Sequence, residues 1–301
     1  MKLSCPAAIW TCVRAGCIEP THALLLAVAT ALALTLATAP ANASAQMARD
    51  RADSTRGAVL PSRPLFSQQQ LAHRRVLEAR LEKRHELKKL FLERGVSYPA
   101  AEVFVRIFKR ERVLEVWARP DQRDTFTLLK SYTICALSGQ LGPKRAQGDN
   151  QTPEGIYAID GFNPVSNYFL SLRLDYPNRS DQILSSDAKL GGNIFIHGGC
   201  RTLGCLAVTD DAIKELYWLA VEARNVGQLR IPVHIFPTHL NDFELNRLNR
   251  VFDMSGELKT FWSNLRPVYQ YFEANRKLPL VGVDDNGRYR VQQQLGKPAT
   301  E

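Results

Sequence analysis

The stretch Ile194-Phe-Ile-His197-Gly-Gly-Cys200-Arg-Thr-Leu-Gly204-Cys205-Leu-Ala-Val-Thr209 constrains this chain more than any other. Asn193 to Ile196 read as the end of a strand, and the glycines at 198, 199 and 204 permit backbone turns barred to other residues. Thr209-Asp-Asp reads as the cap of a following helix. A base and a nucleophile therefore share one short loop, with Cys205 expected just before a helix N-terminus. Exposed N–H groups and the helix dipole at such a place lower a thiol pKa and can hold a developing oxyanion. A neutral His197 can then deprotonate the thiol, leaving a thiolate and imidazolium pair ready to attack a carbonyl. The competing reading is structural, because two nearby cysteines in an exported protein often form a disulfide.

Export itself is read from the N-terminus. Lys2 and Arg14 precede an apolar run from Ala23 to Ala37, followed by the small-residue patterns Ala39-Pro-Ala41 and Ala41-Asn-Ala43-Ser-Ala45. The expected organisation begins with a signal peptide over 1–45, cleaved after Ala45; the alternative is an uncleaved anchor, since the run is nearly long enough to span a bilayer. Cys17 precedes the apolar run, so it cannot be the lipidated cysteine of a lipoprotein signal. Cleavage removes Cys5, Cys12 and Cys17 and leaves Cys135, Cys200 and Cys205. The 301 residues carry a formal charge of +9, all but one unit of it after residue 45. No finger, basic zipper or aromatic RNA-binding signature accompanies this charge, so anionic wall polymer or a membrane surface is the expected partner rather than nucleic acid. His234 and His239 lack Cys or carboxylate partners at metal spacing, and neither a Walker loop nor a dinucleotide glycine fingerprint occurs. No metal or cofactor is expected.

Past a linker over 46–66, rich in Ala, Arg, Ser, Gly and Pro, a charged N-terminal helix is expected within 67–100. Ser67 to Gln70 have capping-box spacing, and Leu71, Leu77, Leu81, Leu87, Leu90 and Phe91 form an apolar stripe that ends before Gly95. Val103, Val105 and Ile107 alternate with Phe104, Arg106 and Phe108, and Val113 to Trp117 follow a turn, which reads as a β-hairpin. Further strands are expected within Thr125–Ser138, over Ile156–Ile159, Tyr168–Leu174 and Ile194–Ile196, with Val233–Phe236 closing the sheet. Ala212 to Arg224 read as the helix behind Cys205, with Ile213, Leu216, Tyr217 and Ala220 on its apolar face. In the tail, Ser255 reads as a cap before Leu258, Phe261, Trp262 and Leu265, and Pro267 is expected to break or restart the helix before Val268, Tyr271 and Phe272.

His197-Gly, then Thr202-x-Gly204-Cys205, preceded by Ser138-Gly139 and Gln151-Thr-Pro-Glu-Gly155-Ile-Tyr157, resembles the L,D-transpeptidase catalytic domain, the YkuD-like family. Leu114-Glu-Val-Trp117, Lys130-Ser-Tyr-x-Ile-Cys135, Ser138-Gly-x-Leu-Gly-Pro-Lys144 and, in the tail, Phe261-Trp262, Tyr271-Phe272-Glu and Arg276-Lys277 resemble its YafK-like murein transpeptidase branch. The resemblance implies a mainly β, overall α+β chain: a sandwich-like catalytic domain over 101–240, with an N-terminal helix and a C-terminal helical extension over 241–301. It further implies a periplasmic enzyme of cell-wall biogenesis and a two-step acyl transfer. Cys205 attacks a peptidoglycan stem-peptide carbonyl at diaminopimelate, and His197 is the general base and acid. The Gly198 carbonyl orients the imidazole, and backbone N–H groups at Gly204 and Cys205 form the oxyanion hole. Tyr132, Thr152 and Arg201 are the expected substrate-binding positions. An amine acceptor, from a second stem or a wall-linked lipoprotein lysine, gives transfer; water gives hydrolysis.

The family's wider pattern separates His from Cys by a longer insertion than the eight positions here, and it places Arg two residues after the nucleophile, where this chain has Ala207. Arg201 is the replacement for that arginine, or else a solvent-facing loop charge. Cys200 has three readings: an alternative nucleophile, a redox brake on Cys205, or half of a bridge to Cys135 that pins the loop and leaves Cys205 free. An inactive wall-binding scaffold, with Cys200 and Cys205 oxidised together, is the remaining alternative to an enzyme.

Overall fold

The computed structural model of the protein describes residues 65–251 and 256–292. The expected signal peptide, nearly all of the expected linker and the Ser255 cap lie outside the described residues.

The architecture starts from β1 (Glu102–Phe108), whose alternation sends two sets of side chains to opposite faces of a sheet. Val103, Val105 and Ile107 enter the main core beneath the helices, whereas Phe104 and Phe108 enter smaller aromatic clusters on the other face. Both faces of β1 are therefore covered. On the second face Arg106 is buried too, which a charge tolerates only when it is paired. It donates to Glu115 at 2.8 Å and to Glu273, and its guanidinium lies 4.9–5.1 Å from the Phe108, Trp117 and Phe272 rings.

The eight-stranded sheet runs in the order β3-β2-β1-β8-β4-β5-β6-β7, formed by β2 (Val113–Arg119), β3 (Thr127–Thr133), β4 (Gly155–Asn163), β5 (Ser171–Leu174), β6 (Phe195–His197), β7 (Leu206–Ala207) and β8 (Ile231–Phe236). All neighbours are antiparallel except β1 with β8 and β6 with β7. The sheet curls until its outer strands meet: Ala136, just after β3, bridges to Ala207 in β7, so backbone groups that would be open edges satisfy one another. That seam lies directly beside Cys205. The mainly β, α+β expectation holds. One position differs, because β8 pairs with β1 and β4 at the centre of the sheet instead of closing it.

Helix α4 (Asp210–Asn225) covers the main core, with Ile213, Leu216, Tyr217, Leu219, Ala220 and Val221 buried. Two helices precede the sheet, the short α1 (Phe66–Leu71) and the 20-residue α2 (Arg74–Glu93), with α3 (Arg179–Leu184) lying between β5 and β6. The N-terminal capping expectation is displaced: Gln68 accepts from Leu65 N, while Ser67 reaches across to Asn225. The predicted stripe on α2 shifts as well. Leu77 and Leu81 face solvent, and the buried seam is Val76, Ala79, Lys83, Leu87 and Phe91. Lys83 belongs there because α4 offers it Asp211 at 2.5 Å and Glu215 at 3.7 Å.

On the opposite face, α5 (Asp242–Val251) is followed by α6 (Gly256–Asn275), which buries Phe261, Trp262, Leu265, Val268, Tyr269 and Phe272. Contrary to expectation, α6 runs through Pro267. Pro267 and Ser263, four residues earlier, both lie on the exposed side, where water can satisfy the carbonyl that proline cannot. The tail is also not wholly helical, because β9 (Leu280–Val283) and β10 (Tyr289–Gln292) form a hairpin anchored by Asn178 Nδ2 donating to the Tyr289 hydroxyl at 2.9 Å.

His234 on β8 packs 4.7 Å from the Phe104 ring, and burial, with a contribution from the Arg106 charge, pushes its pKa down to about 3. The unfolded chain takes up a proton at this residue near pH 6.5, while the folded chain resists it until near pH 3. Stability is therefore lost as pH falls through that window, by about 2 kcal/mol from this group at pH 5. Urea midpoints measured at pH 7 and pH 5 should fall in the parent and fall less in His234→Phe. Equal decreases in both proteins would clear His234 as a cause.

Candidate active site

The short parallel pair β6 and β7 sets His197 beside Ala207, with Val208 N donating to the His197 carbonyl at 2.8 Å. The loop joining them can turn so tightly because Gly204 has φ +92°, in the region that disfavours a side chain. Gly198 is required for a different reason. A Cβ there would stand 2.4 Å from Asp210 Oδ1 and 3.0 Å from the Tyr168 carbonyl.

His197 is buried, and its Nδ1 lies 2.7 Å from the Gly198 carbonyl oxygen. That bond fixes the proton on Nδ1 and leaves Nε2 as the basic nitrogen. The Tyr168 ring lies over the imidazole, with centroids 4.5 Å apart. Burial lowers the His197 pKa, and the Gly198 carbonyl opposes this only in part, so the imidazole is neutral at neutral pH.

Cys205 differs from expectation in its surroundings. It does not abut a helix: β7, Val208 and the cap Thr209, which accepts from Ala212 N at 3.2 Å, separate it from α4. The half-buried thiol has its pKa raised by burial; the Phe195 N–H, the Thr202 hydroxyl and the Lys144 charge act in the other direction without overcoming it. Its sulfur accepts from Phe195 N at 3.4 Å and donates to the Asn193 carbonyl at 3.5 Å. Both directions favour the neutral thiol and the neutral imidazole over the expected ion pair.

The two backbone donors expected at an oxyanion hole are also engaged. Gly204 N donates to Ser138 Oγ at 2.5 Å and Cys205 N to Thr202 Oγ1 at 3.0 Å. A hydroxyl oxygen therefore occupies each of these N–H groups. Thr152, fully buried, donates from Oγ1 to the Cys205 carbonyl at 3.1 Å and so holds the Cys205 backbone; it presents no hydroxyl to solvent. Arg201 is exposed on the loop. Tyr132 is not part of this group: it is buried under α4, where its hydroxyl donates to Glu215 at 2.8 Å, because the alternation of β3 turns it to the core.

Residues 102–235 match the L,D-transpeptidase catalytic domain, YkuD. The chain is 36% identical over 195 residues, 64% of its length and 75% of the relative's, to "Putative L,D-transpeptidase YafK" of Escherichia coli K12. It belongs to the L,D-transpeptidase family. Similar solved structures include the helical cell shape determining protein Pgp2 from Campylobacter jejuni, 18% identical over 61% of this chain and 73% of that one, with a TM-score of 0.36. Mycobacterium tuberculosis L,D-transpeptidase 1 is 14% identical over 45% of this chain and 62% of that one, with a TM-score of 0.27.

In this L,D-transpeptidase-family chain the third reading of Cys200 is the one the structure contains. Cys135 and Cys200 are joined, with Cα atoms 5.3 Å apart, and Cys205 is a free thiol. The bridge spans 65 residues and crosses the seam where the sheet closes, so it ties the loop before Cys205 to the end of β3. Replacing both bridging cysteines by alanine should lower stability by roughly 2–4 kcal/mol. Mass mapping of the unreduced protein should find Cys135 linked to Cys200 and Cys205 free, and a Cys200 to Cys205 linkage would restore the redox-brake reading.

Sequence reasoning did not single out Tyr168, Ser138 or Thr202 as site residues. Ser138 and Thr202 did carry a signal, since each lies inside a quoted motif. Tyr168 carried none, because its placement depends on the β4 to β5 connection.

Proposed function

We propose that this chain is an exported, cysteine-dependent acyltransferase of the periplasmic cell wall, acting on the diaminopimelate carbonyl of peptidoglycan stem peptides. The observation that carries this reading is the Nδ1 hydrogen bond of His197 to Gly198, which leaves Nε2 unprotonated on the strand paired with the residues after Cys205. For attack, the thiol leaves the Asn193 carbonyl and gives its proton to Nε2. Sγ forms the bond to the carbonyl carbon, and the oxyanion displaces the Ser138 and Thr202 hydroxyls from the Gly204 and Cys205 N–H groups. Collapse passes the proton to the departing amine and leaves a thioester on Cys205. An acceptor amine then attacks, His197 takes its proton, and the thiol is regenerated. With water as acceptor the same thioester is hydrolysed to a free carboxylate, so that where the amine departing in the first step is a wall-linked lipoprotein lysine, the net reaction releases that lipoprotein.

Purified protein incubated with sacculi, with and without an added amine, tests the reading by mass spectrometry of the muropeptides. Amine-dependent adducts at diaminopimelate support transfer, and loss of an attached amine with uptake of water supports hydrolysis. Unchanged muropeptides in both arms would refute both.

A further inference from the structure

Tyr168 is a tyrosine 45% exposed to solvent whose ring nevertheless covers an imidazole that is 2% exposed. A surface side chain holds such a position only if its backbone is held. The segment between β4 and β5 turns sharply there, with Phe169 at φ +71°, a left-handed conformation that a bulky aromatic residue rarely adopts. The carbonyls around the turn show what holds it. Those of Tyr168 and Leu170 accept from Gly198 N at 3.1 and 3.3 Å, next to His197 itself. Those of Ser166 and Phe169 point the other way and accept from one nitrogen, Arg75 Nη1 on α2, at 2.5 and 2.8 Å. The Arg75 guanidinium also lies 5.5 Å from the Phe169 ring centroid. Lys214 approaches the same ring at 5.3 Å while pairing with Glu78 and Glu82 of α2, both at 2.8 Å. The turn is thus clamped between α2 and the backbone beside His197.

We propose that Arg75 is a positioning residue of the active site, acting through Tyr168 on His197, and that α2 is a working part of the catalytic unit. Helix α2 precedes residues 102–235, the part matched to the catalytic domain, so the domain borrows this contact from outside its own boundaries. The physical role follows from the geometry. The Gly198 carbonyl fixes one imidazole nitrogen, but a single hydrogen bond leaves the ring free to rock about it. A ring lying over the imidazole at 4.5 Å, tilted by 30°, stops that motion and keeps water off, so Nε2 stays aimed at the place the thiol must reach. Misplacement of a catalytic group by about 1 Å can cost on the order of 100-fold in rate, so loss of the ring should lower kcat by roughly 10- to 100-fold and leave KM nearly unchanged.

The kinetic part rests on the acyl-transfer reading, so the deciding measurement is one that does not. In the NMR spectrum of the purified, disulfide-bonded chain, the His197 ring protons should be shifted upfield by the Tyr168 ring, with the nitrogen shifts of an Nδ1–H tautomer. Tyr168→Phe should keep both signatures and Tyr168→Ala should lose the upfield shift. Arg75→Met should lose it as Tyr168→Ala does, and Arg75→Lys, which can still reach a carbonyl, should restore part of it. Tyr168 is exposed, so its variants should fold even if Arg75→Met does not. An unshifted His197 in the parent, or a shift unchanged in Arg75→Met or, should that variant not fold, in Tyr168→Ala, would overturn the proposal whatever the protein does to sacculi. If the parent turns over muropeptides, an unchanged kcat in Tyr168→Ala would also overturn it.

Discussion

Cys205→Ala is expected to lower turnover of muropeptides by roughly 10⁴- to 10⁶-fold, as removal of a nucleophile does elsewhere, while moving stability by less than about 1 kcal/mol. The asymmetry follows from the surroundings of the residue. The thiol is half-buried and hydrogen-bonds to the backbone of Phe195 and Asn193 and to the Thr202 hydroxyl, so its removal leaves no large cavity. His197→Ala should reduce turnover by orders of magnitude as well, with a larger stability cost, because it also leaves the buried Gly198 carbonyl without its donor. The pKa directions add a pH signature. His197 is pushed below the ordinary imidazole value, so the acid limb of kcat/KM should lie below pH 6.5. Cys205 is pushed above the ordinary thiol value, so alkylation of the resting enzyme should be slow at pH 7 and rise steeply in alkali. Rapid alkylation at pH 6, or full turnover by Cys205→Ala, would show that the nucleophile or its resting state has been assigned wrongly.

What could be read from the sequence was what local chemistry decides. The alternation over Val103 to Phe108 announced a strand of a hairpin, and Thr209-Asp-Asp announced the start of α4. The spacing of His197 and Cys205 placed them on one loop. What could not be read was set by chain from elsewhere. The inward turn of Lys83 depends on Asp211 and Glu215 of α4, and the late start of β5 depends on Arg75 and Gly198 holding Phe169 in a left-handed turn. The helix-dipole argument for Cys205 failed because two residues of strand, β7, are needed to close the seam with Ala136 before α4 can begin. Tyr132 was drawn into the expected site by the motif that contains it, although the period-two alternation of β3 turns it away.

Lys109→Met is the substitution expected to cost the most stability, about 3–5 kcal/mol, the range found when one partner of a buried ion pair is removed. Lys109 follows β1, and its ammonium is buried among the carbonyls of Gln140, Gly142 and Thr152 at 2.8–2.9 Å and the Glu154 carboxylate at 3.0 Å. Glu154, fully buried, also accepts from Gly142 N and from Trp262 Nε1 of α6, each at 2.7 Å. One cation therefore ties α6 to both segments that flank Cys205: the segment beginning at Ser138, whose hydroxyl accepts from Gly204 N, and Thr152, whose hydroxyl reaches the Cys205 carbonyl. Methionine fills nearly the same space but leaves the buried Glu154 carboxylate without its counter-charge and takes one donor from three carbonyls that then share Gln151 Nε2. Replacing Glu154 by leucine as well should recover part of the loss, since no buried charge then remains, and the double-mutant cycle should show coupling well above 1 kcal/mol. The double variant should still turn over muropeptides more slowly than the parent, because Ser138 and Thr152 have lost their common anchor. Urea unfolding of the four proteins, followed by turnover of those that fold, separates the two effects. A Lys109→Met protein that unfolds at the parent's urea concentration would mean that packing alone, and not the ammonium, holds the flanks of Cys205.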